Sequence, residues 1–187
     1  MIDIAVTKTI FTIFHLMGVA LGAGGAFLSD SMFISSVKDN RFSKTEIRFL
    51  KLASKMVWIG IILLVLSGIF IFFTDTEYYL ASSKFLAKMS IVLIIILNGI
   101  AFHFWHLPLI HQHENIHFPT SNTFTNRRMW VLASGAISII SWLSALILGS
   151  LQKVNASYFE IMAMYIVLVF LAVFISWTLR DNILPKK

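Results

Sequence analysis

The stretch FTIFHLMGVALGAGGAFLSDSMFI, residues 11–34, indicates the fold class of the whole chain. A helix of about 20 apolar residues crosses the hydrocarbon core of a bilayer, because each residue adds about 1.5 Å. The stretch is long enough to do so, yet it carries His15 near one end and Asp30 near the other. Both side chains are costly in lipid, so each predicts a partner or a site.

Glycines follow the histidine at helical spacing. At about 100° per residue, one face of the helix carries His15, Gly18, Gly22, Gly25 and Ser29. An imidazole stands at one end of this face, and very little side-chain volume follows it. The pattern predicts that either another helix backbone or a flat cofactor packs closely against the glycines.

The composition of the chain indicates an integral membrane protein. Of its 187 residues, 58% are hydrophobic and only 13% are charged, which is about half the charged fraction of a soluble domain. The absence of cysteine excludes disulfides, thiolate metal ligands and cysteine nucleophiles. The net charge of +6 does not indicate nucleic-acid binding, because the basic residues lie between apolar segments, where membrane topology explains them.

Four further apolar segments follow the first, and each is long enough to span a bilayer. We therefore predict an all-α fold, a polytopic bundle of five transmembrane helices that forms a single domain over residues 1–187. Capping-box patterns, Ser43 with Glu46 and Ser157 with Glu160, mark the starts of the second and fifth helices. The predicted spans are residues 9–35, 53–73, 84–107, 128–151 and 157–179.

The cations are distributed unevenly between the two sides of the predicted bundle. Eleven of the fifteen lysines and arginines lie in the first loop, the third loop and the C-terminal tail. Cytoplasmic loops carry such an excess, so we predict an outside N-terminus and an inside C-terminus. The expected location is the plasma (inner) membrane of a prokaryote, with several passes through the lipid bilayer.

Counting residues along the predicted helices places the polar groups in two layers. His15 and Lys88 lie roughly 9 Å and 6 Å from the outer ends of the first and third helices. Asp30 lies roughly 30 Å along the first helix, level with His103 and His106 on the third. The outer layer is thus His15 with Lys88, and the inner layer is Asp30 with the two histidines.

Each of these groups has a structural alternative to a functional role. His15 is either a ligand or part of an interhelical hydrogen bond. Lys88 either faces inward or extends its ammonium to the headgroups. For Asp30, a salt bridge with a cation of the first loop is favoured over a metal site.

Two further patterns concern metals and partner helices. Histidines cluster at the end of the third helix and could bind zinc, nickel or copper, although their spacing matches no defined site: His103, His106, His111, His113 and His117. Small residues also form a stripe on the fourth helix: Ser134, Ser138, Ser141, Ala145 and Gly149. This stripe, like the glycine stripe of the first helix, could pack against a partner helix or a second copy of the chain.

The two outer residues also carry a family resemblance. The first helix, FHLMGVALGAGG (residues 14–25), resembles that of the HemJ-type protoporphyrinogen oxidases and the copper-resistance D-like membrane domains. The segment LAKMSIVLIIILNGIAFH (residues 86–103) is similar to the third helix of the HemJ type, with a lysine before a long aliphatic run. The resemblance implies a helical bundle that binds b-type haem, with His15 and Lys88 as its functional residues.

Three functions follow from these patterns. The first is binding of b-type haem between helices one and three, with His15 on the iron, in electron transfer or haem-linked oxidation by a membrane oxidoreductase. The second is transition-metal handling by Asp30 and the His103–His117 cluster. The third is a non-catalytic membrane subunit whose small-residue stripes pack against a partner.

Overall fold

The computed structural model describes residues 4–38, 42–112 and 122–179. The described residues are almost entirely helical, and one turn, residues 102–106, is a π-helix. In chain order the helices are α1 (Ile4–Lys38), α2 (Lys44–Phe72), α3 (Thr76–Ala81), α4 (Ser83–Ala101), the π turn (Phe102–His106), α5 (Leu107–Gln112), α6 (Asn122–Ser150) and α7 (Tyr158–Thr178).

Five helical segments are long and apolar enough to cross a membrane, as the sequence predicts. They are Val6–Ser36, Lys44–Phe72, Ser83–Ile110, Met129–Ser150 and Tyr158–Thr178. These five segments are the spans referred to below. The all-α fold class is confirmed.

The caps explain why two spans begin where they do. At the start of α2, the backbone N–H of Ser43 donates to Glu46 over 2.7 Å, and the Glu46 N–H donates back to the Ser43 hydroxyl. Ser157 and Glu160 form the same reciprocal pair before α7. The box starts α2 at Lys44, as the capping pattern predicts, so the helix begins well before the predicted membrane span at residue 53.

The third span continues past its predicted end at residue 107. Pro108 lies inside α5, and the π turn directly precedes it. In the π turn the N–H of Leu107 donates to the carbonyl of Phe102, five residues back. A proline cannot donate to the carbonyl four residues earlier and its ring clashes with that group. The wider turn before Pro108 accommodates the proline, so the helix passes through it.

The glycines of α1 allow the first two spans to approach closely. A Cβ built on Gly18 would lie 2.9 Å from the Gly60 carbonyl oxygen, and one built on Gly25 would lie 3.0 Å from the Ala53 carbonyl oxygen. Only residues without bulky side chains permit such contact between two helix backbones. The α1–α2 pair is therefore a close and extensive interface, with α6 packed against α1 and α4 against α2.

The fifth span lies at the periphery. Only 11% of its most apolar window is buried, the lowest share of the five spans. Tyr165 is its main anchor, since its hydroxyl lies 2.8 Å from the Ser141 hydroxyl of α6 in a buried hydrogen bond. Ile161 is buried beside it, whereas most of the other large side chains of α7 are exposed, as expected of a helix that faces lipid.

Candidate functional site

The first candidate site is an apolar cavity, which we call the His15 cavity. It encloses about 370 Å³ between the first four spans. Its lining is aliphatic and aromatic except for two side chains that can carry charge, His15 of α1 and Lys88 of α4. The structure thus places the two residues of the expected outer layer at one cavity.

Helix α2 holds the His15 ring through Ser67 and Gly68. His15 Nδ1 lies 3.0 Å from the Ser67 hydroxyl oxygen. A Cβ built on Gly68 would lie 3.7 Å from His15 Cε1, so the imidazole rests where α2 has no side chain. This pair was not predicted from the sequence, although a serine followed by glycine is conspicuous in the apolar run of the second span.

The hydrogen bonds of Ser67 are compatible with a proton on Nδ1 of His15. A hydroxyl has one proton, and Ser67 donates it to the Leu63 carbonyl within α2. With this proton donated to Leu63, the Ser67 oxygen is free to accept from Nδ1 of His15 in the tautomer that is protonated there. In a neutral imidazole of this tautomer, Nε2 keeps its lone pair and can act as a ligand.

The glycines of α1 do not line the His15 cavity. Gly18 and Gly25 pack against the backbone of α2, and Gly22 lies against the indole of Trp142 and the backbone at Gly60. The glycine stripe predicted that either a helix backbone or a flat cofactor packs against it, and the structure shows a helix backbone. The space that Gly18, Gly22 and Gly25 were expected to leave for a cofactor is filled by α2 and Trp142.

Lysines of the third span reach the C-terminal end of α6. Lys84 Nζ donates to the Leu151 carbonyl over 2.7 Å. Lys88 Nζ would lie 3.6 Å from a Cβ built on Gly149, so it rests against the last turn of α6. Helix C-termini present unpaired carbonyls and a negative dipole, which stabilise cations. Lys88 combines this position with a place in the cavity lining.

The second candidate site is a smaller cavity whose lining includes several polar side chains, and we call it the Asp30 cavity. It encloses about 140 Å³ and receives lining residues from all five spans. Asp30 lies in it with a histidine of the π turn, His106. Its other polar lining residues are hydroxyl and amide side chains: Ser29, Ser54, Asn98, Ser134, Ser138 and Ser176.

Several polar side chains of the Asp30 cavity already have hydrogen-bond partners. Asn98 accepts from the Ser134 hydroxyl over 2.8 Å and donates to the Ser134 carbonyl over 3.1 Å. Ser54 lies 3.2 Å from Nδ1 of His103, whose ring also meets Trp58 edge-on at 6.3 Å. His103 is thus outside the cavity lining, while His106 and Asp30 are part of it.

The expected ion pair of Asp30 is absent from the described residues. Its Oδ2 atom is buried without a hydrogen-bond partner, and no described cation of the first loop pairs with it. Nor do the described residues bring together three histidine or acidic side chains that could hold a metal ion. The side chain of His111, and all of His113 and His117, lie outside the described residues.

The small-residue stripe of α6 faces the protein's own helices. Ser134 bonds to Asn98 of α4, and Ser141 bonds to Tyr165 of α7. Ser138 lies beside the Asp30 carboxyl group of α1. The stripes of both α1 and α6 therefore serve contacts within this chain.

The fold is that of a multi-pass membrane helical bundle with two internal cavities. Ile95 and Trp142 line both cavities, so they lie between the His15 cavity and the Asp30 cavity. Comparison with protein-family models, with curated proteins and with solved structures finds no match to this chain.

Proposed function

We propose that this protein binds b-type haem in the His15 cavity, with His15 as the axial ligand of the iron. The observation that carries the proposal is the position of the His15 imidazole and its hydrogen bond to Ser67. His15 lines an apolar cavity and its Nδ1 is hydrogen-bonded to Ser67, which leaves Nε2 as the lone-pair nitrogen. A ligating histidine usually has its other ring nitrogen fixed by such a bond.

The rest of the lining suits a porphyrin. Aliphatic and aromatic side chains match the apolar faces of the macrocycle, and Phe72, Phe85 and Trp142 contribute flat surfaces. Lys88 supplies a positive charge at the same cavity, where it would pair with a propionate or provide the second ligand. The HemJ-type resemblance, which rests on the same two residues, favours the same cofactor.

Bound haem would supply one-electron chemistry, which is why we assign electron transfer or haem-linked oxidation to the protein. The contribution of the chain is to hold the imidazole in one tautomer and to surround the cofactor with apolar side chains. The ligands of the iron and their hydrogen bonds influence its reduction potential. Here the proposed ligand is His15, and its hydrogen-bond partner is Ser67.

We further propose that the His15 cavity lies in the outer half of a prokaryotic plasma membrane. His15 is in the first half of α1 and Asp30 in the second half. The cation-rich loop follows α1, and such loops stay in the cytoplasm. In this orientation a redox partner of the haem would approach from the outer side.

The test is an absorption spectrum of the protein purified from cells supplied with a haem precursor. The wild type should show a Soret band, and His15→Ala should lose it. His106→Ala is the matched control, because it removes an imidazole from the other cavity and should retain the band. Haem in full amount on His15→Ala, or none on the wild type, would refute the proposal.

Lys88→Ala should weaken haem binding or shift the Soret band.

A further inference from the structure

Two buried oxygen atoms at the Asp30 cavity lack a hydrogen-bond partner among the described residues. They are Oγ of Ser29 and Oδ2 of Asp30. Ser29 is only 5% exposed, and both residues line the cavity. Buried polar atoms without partners are rare, and each one points to an ion, a water or a strained site. Here two neighbouring residues in the chain each carry such an atom, and both residues line the same cavity.

The surrounding side chains do not supply the missing donors. Asn98 and Ser134 are bonded to each other, and Ser54 is bonded to His103. The Ser138 hydroxyl lies beside the Asp30 carboxyl group, yet Oδ2 remains without a partner. A buried carboxylate with neither a counter-charge nor full hydrogen bonding is strongly unfavourable. Either a proton or a bound cation would neutralise this carboxyl group, and the cavity of about 140 Å³ has room for a cation.

We propose that the Asp30 cavity binds one monovalent alkali cation. Asp30 is its charged ligand, and the hydroxyl oxygens of Ser29 and Ser138 are neutral ligands. All three are hard oxygen donors, which suit alkali and alkaline-earth ions rather than soft metals. One carboxylate balances one positive charge, whereas a divalent ion would leave an excess charge in an apolar bundle.

The same inventory disfavours a transition metal at this cavity. Zinc sites use three or four protein ligands, commonly imidazole or thiolate. Of the described imidazoles only His106 lines the cavity, and Nδ1 of His103 is bonded to Ser54. The third span passes the cavity through the π turn, a feature that occurs often at functional sites. The cation site does not depend on haem, because the lining of the His15 cavity contributes none of its ligands.

The first test measures the melting temperature of the detergent-purified protein with NaCl, KCl or choline chloride at equal ionic strength. Sodium or potassium should raise the melting temperature of the wild type in a saturable way, because a ligand of the native state stabilises it. Asp30→Asn, which keeps the shape of the side chain, should lose this shift. The control is Glu160→Gln, which removes a carboxylate from the capping box of α7 and should retain the shift.

Three outcomes of this test would overturn the proposal. Choline could raise the melting temperature as much as sodium and potassium do, which is an ionic-strength effect. The alkali shift could persist in Asp30→Asn, which places the ion elsewhere. The third outcome is a melting-temperature shift with magnesium or zinc and none with sodium or potassium, which would contradict a monovalent site.

The second test uses the wild type alone and so does not depend on the folding of a variant. A hydrophobic carbodiimide reacts with protonated carboxyl groups in apolar surroundings, and mass spectrometry locates the modified residue. Sodium or potassium should slow the modification of Asp30 relative to choline. Modification at an equal rate in all three salts would mean that the carboxyl group takes only a proton, and the proposal would fail.

Discussion

The indole of Trp142 lies directly against Gly22, so that one ring of α6 covers the centre of the glycine stripe of α1. Trp142 is 3% exposed and lines both the His15 cavity and the Asp30 cavity. A methyl group on Gly22 would overlap this ring. The absence of one side chain on α1 thus places the tryptophan that lies between the two cavities.

Gly22→Ala is expected to destabilise the bundle by about 1–3 kcal/mol, the usual cost of overpacking a close contact. The matched control is Gly24→Ala, since nothing lies within 4 Å of a Cβ built there. That variant should be neutral or gain about 0.5–1 kcal/mol from improved helix propensity. Unfolding in a detergent of increasing denaturing strength compares the two. Equal stability of the variants would contradict the packing described for Trp142.

Ser67→Ala tests the seat of His15. The variant removes the oxygen that accepts from Nδ1, so the ring loses its fixed orientation and tautomer. Loss of such a supporting bond lowers metal affinity by about 10–100-fold, and haem titration of the purified protein should show this decrease. Ser90→Ala is the control, because Ser90 bonds to Tyr158 away from the cavity. Unchanged haem affinity in Ser67→Ala would show that the hydrogen bond to Ser67 does not support haem binding by His15.

Asn98 and Ser134 should be energetically coupled. They share two hydrogen bonds that join α4 to α6 beside the Asp30 cavity. Hydrogen bonds between membrane helices contribute about 0.6 kcal/mol on average and up to about 1.7 kcal/mol. A double-mutant cycle of Asn98→Ala and Ser134→Ala, measured by unfolding in detergent, should give a coupling energy in this range. The backbone bond to Ser134 survives Ser134→Ala, so the cycle reports the hydroxyl contact. Strict additivity would show that this contact stabilises nothing.

The orientation of the bundle is tested by reporter fusions. A fluorescent protein that folds only in the cytoplasm should be active after Lys187 and within the loop at residues 38–51, because these segments hold most of the cations. A periplasmic reporter should be inactive at both positions. Periplasmic activity at either one would invert the assignment of the His15 cavity to the outer half.

Several features of the fold were predictable because they depend on local chemistry. The number of spans follows from the length of the apolar segments, which the bilayer thickness determines. The starts of α2 and α7 follow from Ser43 with Glu46 and Ser157 with Glu160, whose hydrogen bonds close within one helical turn. The continuation through Pro108 was not predictable in this way, since it depends on a π turn, whose His103 bonds to Ser54 of another helix.

The candidate sites were predictable only in part. Residue counting placed His15 level with Lys88, and Asp30 level with His106, and each pair lines one cavity. Counting gives depth but not the angular position of a helix in the bundle. It therefore could not show that Ser67 holds His15, or that His103 turns to Ser54. For the same reason it assigned Asp30 an ion pair that the described residues do not contain.

The sequence by itself determined that the chain is an all-α bundle with five membrane-length helices, because hydrophobic length and capping are properties of contiguous residues. Only the tertiary structure decided what packs against the glycine stripe, because the packing partner depends on how the helices are arranged and oriented in the bundle. Helix α2 and the Trp142 indole take the space in front of Gly22. The cavity beside His15 is instead formed by side chains of four different spans, whose convergence no single helix encodes.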